Sequence, residues 1–487
     1  MDLRPADLDH DACYRAVAQR DPRFDGRFFT GVKTTGIYCR PICPARTPRK
    51  ENVTFFPTAA AAQEAGFRPC LRCRPETAPD LGAWRGTSNT VSRALGLIEL
   101  GALDEGSVDA LAGRLGLGER QLRRLFMQHL GASPIAVGQT RRVLLAKQLI
   151  HETRLPMAEI AFAAGFSSIR RFNETFRQLF GRAPGALRRG SAPEISAGPL
   201  GEIALLLRYH PPYDWPAMAA FLSRRAIPGI ETVSAERYRR SIALDGVHGI
   251  VTVEPAEGHA LRATVRFPKL AALPAIIARL RRVFDLQADP VAIVAHLAQD
   301  PALAPLVKAR PGLRVPGAWS GFELAIRAVL GQQITVTAAT RLAGRLVAAH
   351  GRRLAEPDGG LTHVFPEPEA LAASDLSSLG MPRSRAAALS AVAQAAIAEP
   401  QLFDATPDLE EAVRRLRAIR GVGEWTAQYI ALRQMREPDA FPAADIGLIR
   451  ALARHDERAQ GPSDLLGRAE AWRPWRAYAA QHLWASA

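Results

Sequence analysis

The sequence predicts a multidomain, mostly α protein. It comprises a small four-cysteine metal domain, a double helix-turn-helix, an α+β module and an all-α body. Three observations predict this. All five cysteines lie before residue 74, and four of them form two close pairs. A basic helical pattern then recurs after about 50 residues. Toward the other end, two amphipathic segments flank Gly421-Val422-Gly423. A chain of 487 residues is too long for one hydrophobic core. The expected domains are 1–80, 84–190, 196–310 and 311–487.

The formal net charge is +15. The excess is arginine, whose planar fork suits bidentate phosphate contacts, so an acidic polymer is the expected partner. No run of about 18 apolar residues exists, which excludes a membrane-spanning helix. Met1 to Tyr14 is acidic and lacks the apolar core of a signal peptide. A cytoplasmic, nucleoid-associated protein is expected, and in a reducing compartment clustered cysteines bind metal rather than pair.

Cys39-Arg40-Pro41-Ile42-Cys43 is followed by Cys70-Leu71-Arg72-Cys73. Two close thiol pairs separated by a loop fit a tetrahedral zinc site, with disulfides as the lesser alternative. Cys13 stands apart and reads as a small buried residue. The surroundings include Arg20-Asp21-Pro22, Thr34-Thr35-Gly36-Ile37-Tyr38-Cys39-Arg40-Pro41, Glu51-Asn52-Val53 and Gly66-Phe67-Arg68-Pro69-Cys70. This segment resembles the N-terminal domain of the Ada methylation-response family. The resemblance implies one Zn²⁺, both structural and nucleophile-activating. It also implies that Cys39, matching the family's first cysteine, accepts a methyl group from a DNA methylphosphotriester. Zinc keeps a thiol deprotonated at neutral pH, and the thiolate is the nucleophile. Four thiolates on one Zn²⁺ carry a net −2, so methylating one thiolate removes a negative charge at a DNA-facing surface.

Helical patterning follows Arg85-Gly86-Thr87-Ser88. Ala112, Gly116, Phe126, Gly131 and Pro134 recur as Ala161, Gly165, Phe176, Gly181 and Pro184. Each copy reads as a short apolar helix (Val108, Leu111, Leu115; Ile160, Ala163), a sharp turn at glycine, and a basic helix. The basic helices present Arg120, Gln121, Arg123 and Arg124 in one copy and Ser168, Arg170, Arg171 and Asn173 in the other. Such side chains contact base edges and phosphates. Residues 84–190 hold 16 Lys/Arg against 8 Asp/Glu. The pattern resembles the AraC-type DNA-binding domain, with a long connecting helix from Pro134 to Ile150. That resemblance implies promoter DNA and RNA polymerase as partners.

Ser191-Ala192-Pro193 and Gly198-Pro199 mark a linker. Ile203 to Tyr209, Arg239 to Leu244, Gly249 to Glu254 and Ala260 to Phe267 alternate as strands. Trp215 to Arg225 and Leu270 to Phe284 read as helices. Tyr213-Asp214-Trp215, Phe221-Leu222 and Ile227-Pro228-Gly229-Ile230-Glu231 resemble the N-terminal domain of AlkA-type 3-methyladenine glycosylases. No site residue is assigned here, and the aromatics are read as core.

In the body, Val413, Leu416 and Ile419 precede Arg420-Gly421-Val422-Gly423-Glu424-Trp425-Thr426-Ala427, and Ala427, Ile430 and Ala431 continue at helical spacing. Gly421 and Gly423 are expected to form a tight turn that leaves helix N–H groups open to a phosphate, together with Thr426. Phe441-Pro442-Ala443-Ala444-Asp445 follows. The series resembles the AlkA branch of the helix-hairpin-helix/Gly-Pro-Asp DNA glycosylases. The resemblance implies flipping of an alkylated base out of double-stranded DNA. It implies Gln333 as the wedge that fills the gap, Trp425, Tyr429 and Trp484 as pocket aromatics, and Asp445 as the catalytic acid. Asp445 also fits an ordinary helix N-cap. Lyase relatives carry a lysine where this chain has Trp425, which implies base excision without strand cleavage. No cysteine follows Cys73, so no iron–sulfur cluster is expected. The rival function is a transcription regulator whose glycosylase half is catalytically silent.

Overall fold

The computed structural model describes residues 8–79, 89–188, 202–404, 408–454 and 461–486. The domain boundary at Arg85 to Ser88 and the linker at Ser191 to Pro199 lie outside the described residues.

The first sheet runs β3-β1-β2-β4, with β1 at Phe29–Val32, β2 at Ile37–Cys39, β3 at Val53–Phe56 and β4 at Arg68–Pro69. Only β2 and β4 pair in parallel, with Tyr38 opposite Pro69. That register places Cys39 and Cys70 side by side where the two strands end. A sequence separation of 31 residues thus becomes one strand spacing. Phe28 and Tyr38 are fully buried beneath.

Six helices follow. Val108–Arg114 and Glu119–Leu130 form the first helix-turn-helix, and Met157–Ala163 and Ile169–Phe180 form the second. Gly116 and Gly165 turn between the helices at φ +70° and +89°, and Gly131 and Gly181 end the second helices at +65° and +66°. The repeat read from the sequence is therefore a repeat of left-handed backbone positions that glycine adopts without steric cost. The connecting helix is Pro134–Glu152, capped by the Ser133 hydroxyl.

The second sheet contains β5 (Glu202–Arg208), β6 (Glu231–Val233), β7 (Tyr238–Leu244), β8 (Val247–Ala256) and β9 (Ala260–Arg266). Its order is β5-β9-β8-β7-β6, every pair antiparallel. Ile203, Leu205 and Leu207 alternate inward on β5. The buried face packs on Trp215–Ser223 and Leu273–Val283.

The helical body is built around Gly321–Leu330, where only Arg327 escapes full burial. A helix apolar nearly all round belongs in the centre of a bundle. Arg327 and Glu323 reach Glu231 and Arg240 on the second sheet, an ion network that fixes the sheet to this helix. The body is not purely helical. β10 (Arg353–Asp358) and β11 (Leu361–His363) form a hairpin through Gly359-Gly360, and Leu361 bridges to Gly229. Periodicity missed this hairpin because its strands are short and largely polar. Among the described residues no helix is long and apolar enough to cross a membrane.

Candidate active site and nucleic-acid interface

Helix Glu424–Arg433 places Trp425 and Tyr429 four residues apart on one face, with rings stacked at 5.0 Å and 11°. Trp484, from helix Arg476–Ser486, meets Tyr429 edge-on at 6.3 Å. Asp445 lies at the N-cap of Ile446–Ala453, and its Oδ1 accepts from the Leu448 N–H at 3.0 Å. The same oxygen accepts from Trp484 Nε1 at 3.1 Å, while Oδ2 accepts from Trp425 Nε1 at 2.7 Å. The acid is thus both a cap and a group aimed by two indoles. A Cβ at position 447 would lie 2.9 Å from Asp445 Oδ1 and 3.7 Å from the Trp484 ring, so Gly447 leaves room for this clasp.

These four residues line a cavity of about 1030 Å³. Its other wall comes from the α+β module. Phe221 lines it, with the guanidinium groups of Arg225 and Arg433 at 3.9 Å and 4.8 Å from its ring centroid. Phe221 thus serves two surfaces: it packs against the core of the second sheet, as read from the sequence, and it also lines the pocket. Arg433 links the two walls, its guanidinium lying 4.8 Å from the Phe221 centroid and 5.3 Å from that of Tyr429. Arg433 donates to the Tyr429 hydroxyl at 2.7 Å. Burial pushes the Tyr429 phenol up, but the Arg433 and Arg225 guanidinium groups outweigh it and hold the phenol below its ordinary value.

Helix Leu409–Arg417 and helix Glu424–Arg433 form the hairpin around Gly421-Val422-Gly423. The two glycines differ. Gly421 has φ +85°, and a Cβ there would lie 2.3 Å from Ala388 Cβ. Gly423 has φ −87°, and nothing stands within 4 Å of a Cβ built on it. One glycine makes the turn, and the other leaves open space before the uncapped end of Glu424–Arg433. Thr426 turns its side chain inward. It is buried, and its Oγ1 accepts from Gln332 Nε2 at 3.2 Å. Its side chain cannot face a phosphate; only the helix-end backbone can. Gln332 Nε2 also donates to the Gly421 carbonyl at 2.9 Å, which ties the hairpin to the neighbouring turn. The next residue, Gln333, is exposed with φ +58°, a strained value for a side chain with a Cβ.

On the recognition helices Arg120, Gln121, Arg124, Arg170 and Arg171 are exposed, and Arg123 and Asn173 are half-exposed. Arg123 pairs with Glu119, Arg124 donates to Gln121, and Arg170 pairs with Glu174. Ser168 is the N-cap of its helix, its Oγ accepting from the Arg171 N–H, so its hydroxyl has a structural use that the sequence reading did not assign.

The Sγ atoms of Cys39, Cys43, Cys70 and Cys73 all lie within 4.8 Å of one another, a spacing that fits one tetrahedral metal ion. Backbone N–H groups of Arg40 and Arg72 donate to Cys73 Sγ and Cys70 Sγ, each at 3.3 Å, as suits thiolates. The buried Arg40 side chain holds Asp25, the Cys73 carbonyl and Thr77 together behind them. Cys70 and Cys73 are buried, and Cys39 and Cys43 are partly open. Cys13 packs with Val17 and Phe28, and burial pushes its thiol up to about 11, as expected of a core residue.

A helix hairpin beside an aromatic pocket with an aimed acid, joined to a four-thiol domain and paired helix-turn-helix motifs, defines a DNA base-excision glycosylase fused to a regulatory module. Comparison with known proteins agrees domain by domain. Residues 12–76 match the metal binding domain of Ada, and 111–190 match a helix-turn-helix domain. Residues 204–320 match the AlkA N-terminal domain, and 326–477 match the HhH-GPD superfamily of base excision DNA repair proteins. A "Probable bifunctional transcriptional activator/DNA repair enzyme AlkA" of Mycobacterium tuberculosis is 43% identical over 98% of this chain and 96% of the relative. The DNA-3-methyladenine glycosylase 2 of Escherichia coli is 37% identical over 57% of this chain and 95% of its own length. A 3-methyladenine DNA-glycosylase structure from Archaeoglobus fulgidus shares the fold with a TM-score of 0.51, at 24% identity over 58% of this chain and 97% of that one. The chain belongs to the family of bifunctional transcriptional activator/DNA repair enzymes of the AlkA type. It is a DNA-3-methyladenine glycosylase fused to an Ada-like, zinc-binding regulatory domain.

Proposed function

We propose that the chain excises alkylated bases without cutting the strand and also senses methylated phosphate in DNA through Cys39. The observation that carries the first half is the two-indole clasp on Asp445 at the mouth of an aromatic cavity. The open end of helix Glu424–Arg433, past Gly423, holds a backbone phosphate. Gln333 enters the gap as the damaged nucleotide leaves the stack. Trp425, Tyr429 and Trp484 face the flipped base, and a cationic base gains on the order of 1–2 kcal/mol from a desolvated aromatic face. The N-glycosidic bond then breaks, its electron pair leaves with the base, and positive charge builds on the sugar. Asp445 stabilises that charge and orients the water that adds to the sugar. No lysine occupies the Trp425 position, so no Schiff base forms there. The two-indole clasp on Asp445 beside the aromatic cavity favours this reading over a catalytically silent half.

For the second half, Cys39, Cys43, Cys70 and Cys73 would hold one zinc ion, which would keep the Cys39 sulfur deprotonated. That sulfur attacks the methyl carbon of a methylphosphotriester. The S–CH₃ bond forms, the CH₃–O bond breaks, and the electron pair stays on the phosphate as an ordinary diester. Partial exposure favours Cys39 and Cys43 over buried Cys70 and Cys73, and the match of Cys39 to the Ada family's first cysteine selects it between the two. The two recognition helices then read promoter DNA through Arg120, Gln121, Arg123, Arg124, Arg170, Arg171 and Asn173, and the bound protein recruits RNA polymerase. The site of action is cytoplasmic, on the nucleoid. The test is release of 3-methyladenine from methylated duplex by wild type and by Asp445→Asn. Equal rates in the two proteins would overturn the catalytic assignment.

A further inference from the structure

Domains joined in one chain usually meet across modest polar contacts and move freely. The regulatory and glycosylase halves of this chain meet differently. The second helix-turn-helix shares one hydrophobic core with the second sheet. Phe172 and Phe176 cluster with Leu205 and Leu207 of β5, and Leu71, between two of the thiols, packs against the same core. A buried polar chain crosses the same place. Lys147 Nζ, on the connecting helix, donates to the carbonyl of Cys70 at 2.8 Å and to Glu76 at 2.6 Å, both side chains being fully buried. Arg74, next to Cys73, bridges Glu76 at 3.1 Å and Glu152 at 3.0 Å. Glu152 then accepts from Gln148 at 2.9 Å and from the Leu206 N–H of β5 at 3.1 Å. Gln148 also donates to the Leu206 carbonyl at 3.0 Å.

Strand β5 is the edge of its sheet, and edge strands present unpaired backbone groups. Glu152 and Gln148 satisfy both polar groups of Leu206, as a neighbouring strand would. Farther along, Arg27 of the thiol domain pairs with Asp289, the cap of a glycosylase helix, at 2.6 Å. A buried ion pair is a poor source of stability in itself, but separating its partners leaves an uncompensated charge, so it fixes one docking geometry against others.

We infer that this seam is a built interface that joins the four-thiol site, the connecting helix and the glycosylase sheet into one cooperative unit. Its consequence is reciprocal. Whatever stabilises the thiol site stabilises the glycosylase fold, and loosening the seam loosens the hold on metal. The metal-bound regulator thereby acts as a structural subunit of the repair enzyme within the same chain.

Tryptophan emission supplies the test. Six of the seven tryptophans, Trp215, Trp319, Trp425, Trp472, Trp475 and Trp484, lie beyond the seam. Thermal unfolding of the full chain is followed by their fluorescence, with zinc bound and after removal by a chelator. Zinc removal is expected to lower the midpoint on the order of 2–4 °C. In Glu152→Gln the midpoint becomes insensitive to zinc, and zinc passes to a chromogenic chelator faster than from wild type. Gln148→Met removes the bridge to Leu206 without stranding a charge and carries the test if Glu152→Gln fails to fold. A wild-type midpoint indifferent to zinc overturns the interface. So does a zinc-dependent shift of undiminished size in the variants that fold.

Discussion

Replacing Asp445 by Asn separates its two roles. Asparagine caps a helix as well as aspartate, so the bond to Leu448 and the start of helix Ile446–Ala453 are retained. The charge is lost. A carboxylate about 4 Å from a unit positive charge on the sugar, at an effective dielectric of about 20, contributes about 4 kcal/mol. Removing it slows excision on the order of 10³-fold. The amide offers one acceptor oxygen to two indole N–H groups, so the Trp425–Asp445–Trp484 clasp also loses one of its bonds. Duplex affinity comes chiefly from phosphate contacts and stays close to wild type. The assay is single-turnover release of 3-methyladenine with enzyme in excess, beside fluorescence anisotropy on the same duplex. An excision rate within about tenfold of wild type, with affinity intact, refutes the electrostatic role.

The hairpin glycines make opposite predictions. Gly421→Ala forces a left-handed φ on alanine and drives its Cβ into Ala388, destabilising the fold by about 3 kcal/mol in denaturant titration. Gly423→Ala leaves stability nearly unchanged but weakens duplex binding, because the added methyl stands where the phosphate approaches. Cys39→Ala abolishes methyl uptake from a methylphosphotriester oligonucleotide, read by mass spectrometry of the cysteine peptides; a methyl group on Cys43 would reassign the acceptor. Burial, helped by Arg310, lowers His482 from 6.5 to about 4. The unfolded chain therefore binds this proton first, and stability falls as pH drops from 6.5 toward 4. The slope amounts to about 3 kcal/mol at most, and a folded His482→Gln flattens it in urea titrations across that range.

Much of the site was legible in sequence because its signals are local. Two thiol pairs, a glycine-punctuated repeat and a Gly-Val-Gly turn followed by an acid each fall within a short window, where backbone conformation and ligand spacing follow from neighbouring residues. The inward turn of the Thr426 side chain was not legible because helix phase alone does not say which neighbour covers a side chain, and Gln332 arrives from the turn between two other helices. Phe221 was passed over because an aromatic in an apolar helix reads the same whether it faces a core or a cavity.

The sequence by itself determined the class of each module and the close spacing of four thiols, because both follow from residue types within short windows. Resemblance to a family, not spacing, pointed to Asp445, Trp425, Tyr429 and Trp484 as a pocket. Tertiary structure alone decided how they combine. It brought Cys39 beside Cys70 through a parallel strand pair, aimed Asp445 with two indoles from different helices, and closed the pocket with a residue from the neighbouring module. It also joined the regulator to the enzyme through Lys147, Glu76, Arg74, Glu152 and the edge of β5. Contacts of this kind depend on which faces meet after folding, and a linear pattern of charge and hydrophobicity carries no record of the partner on the other side.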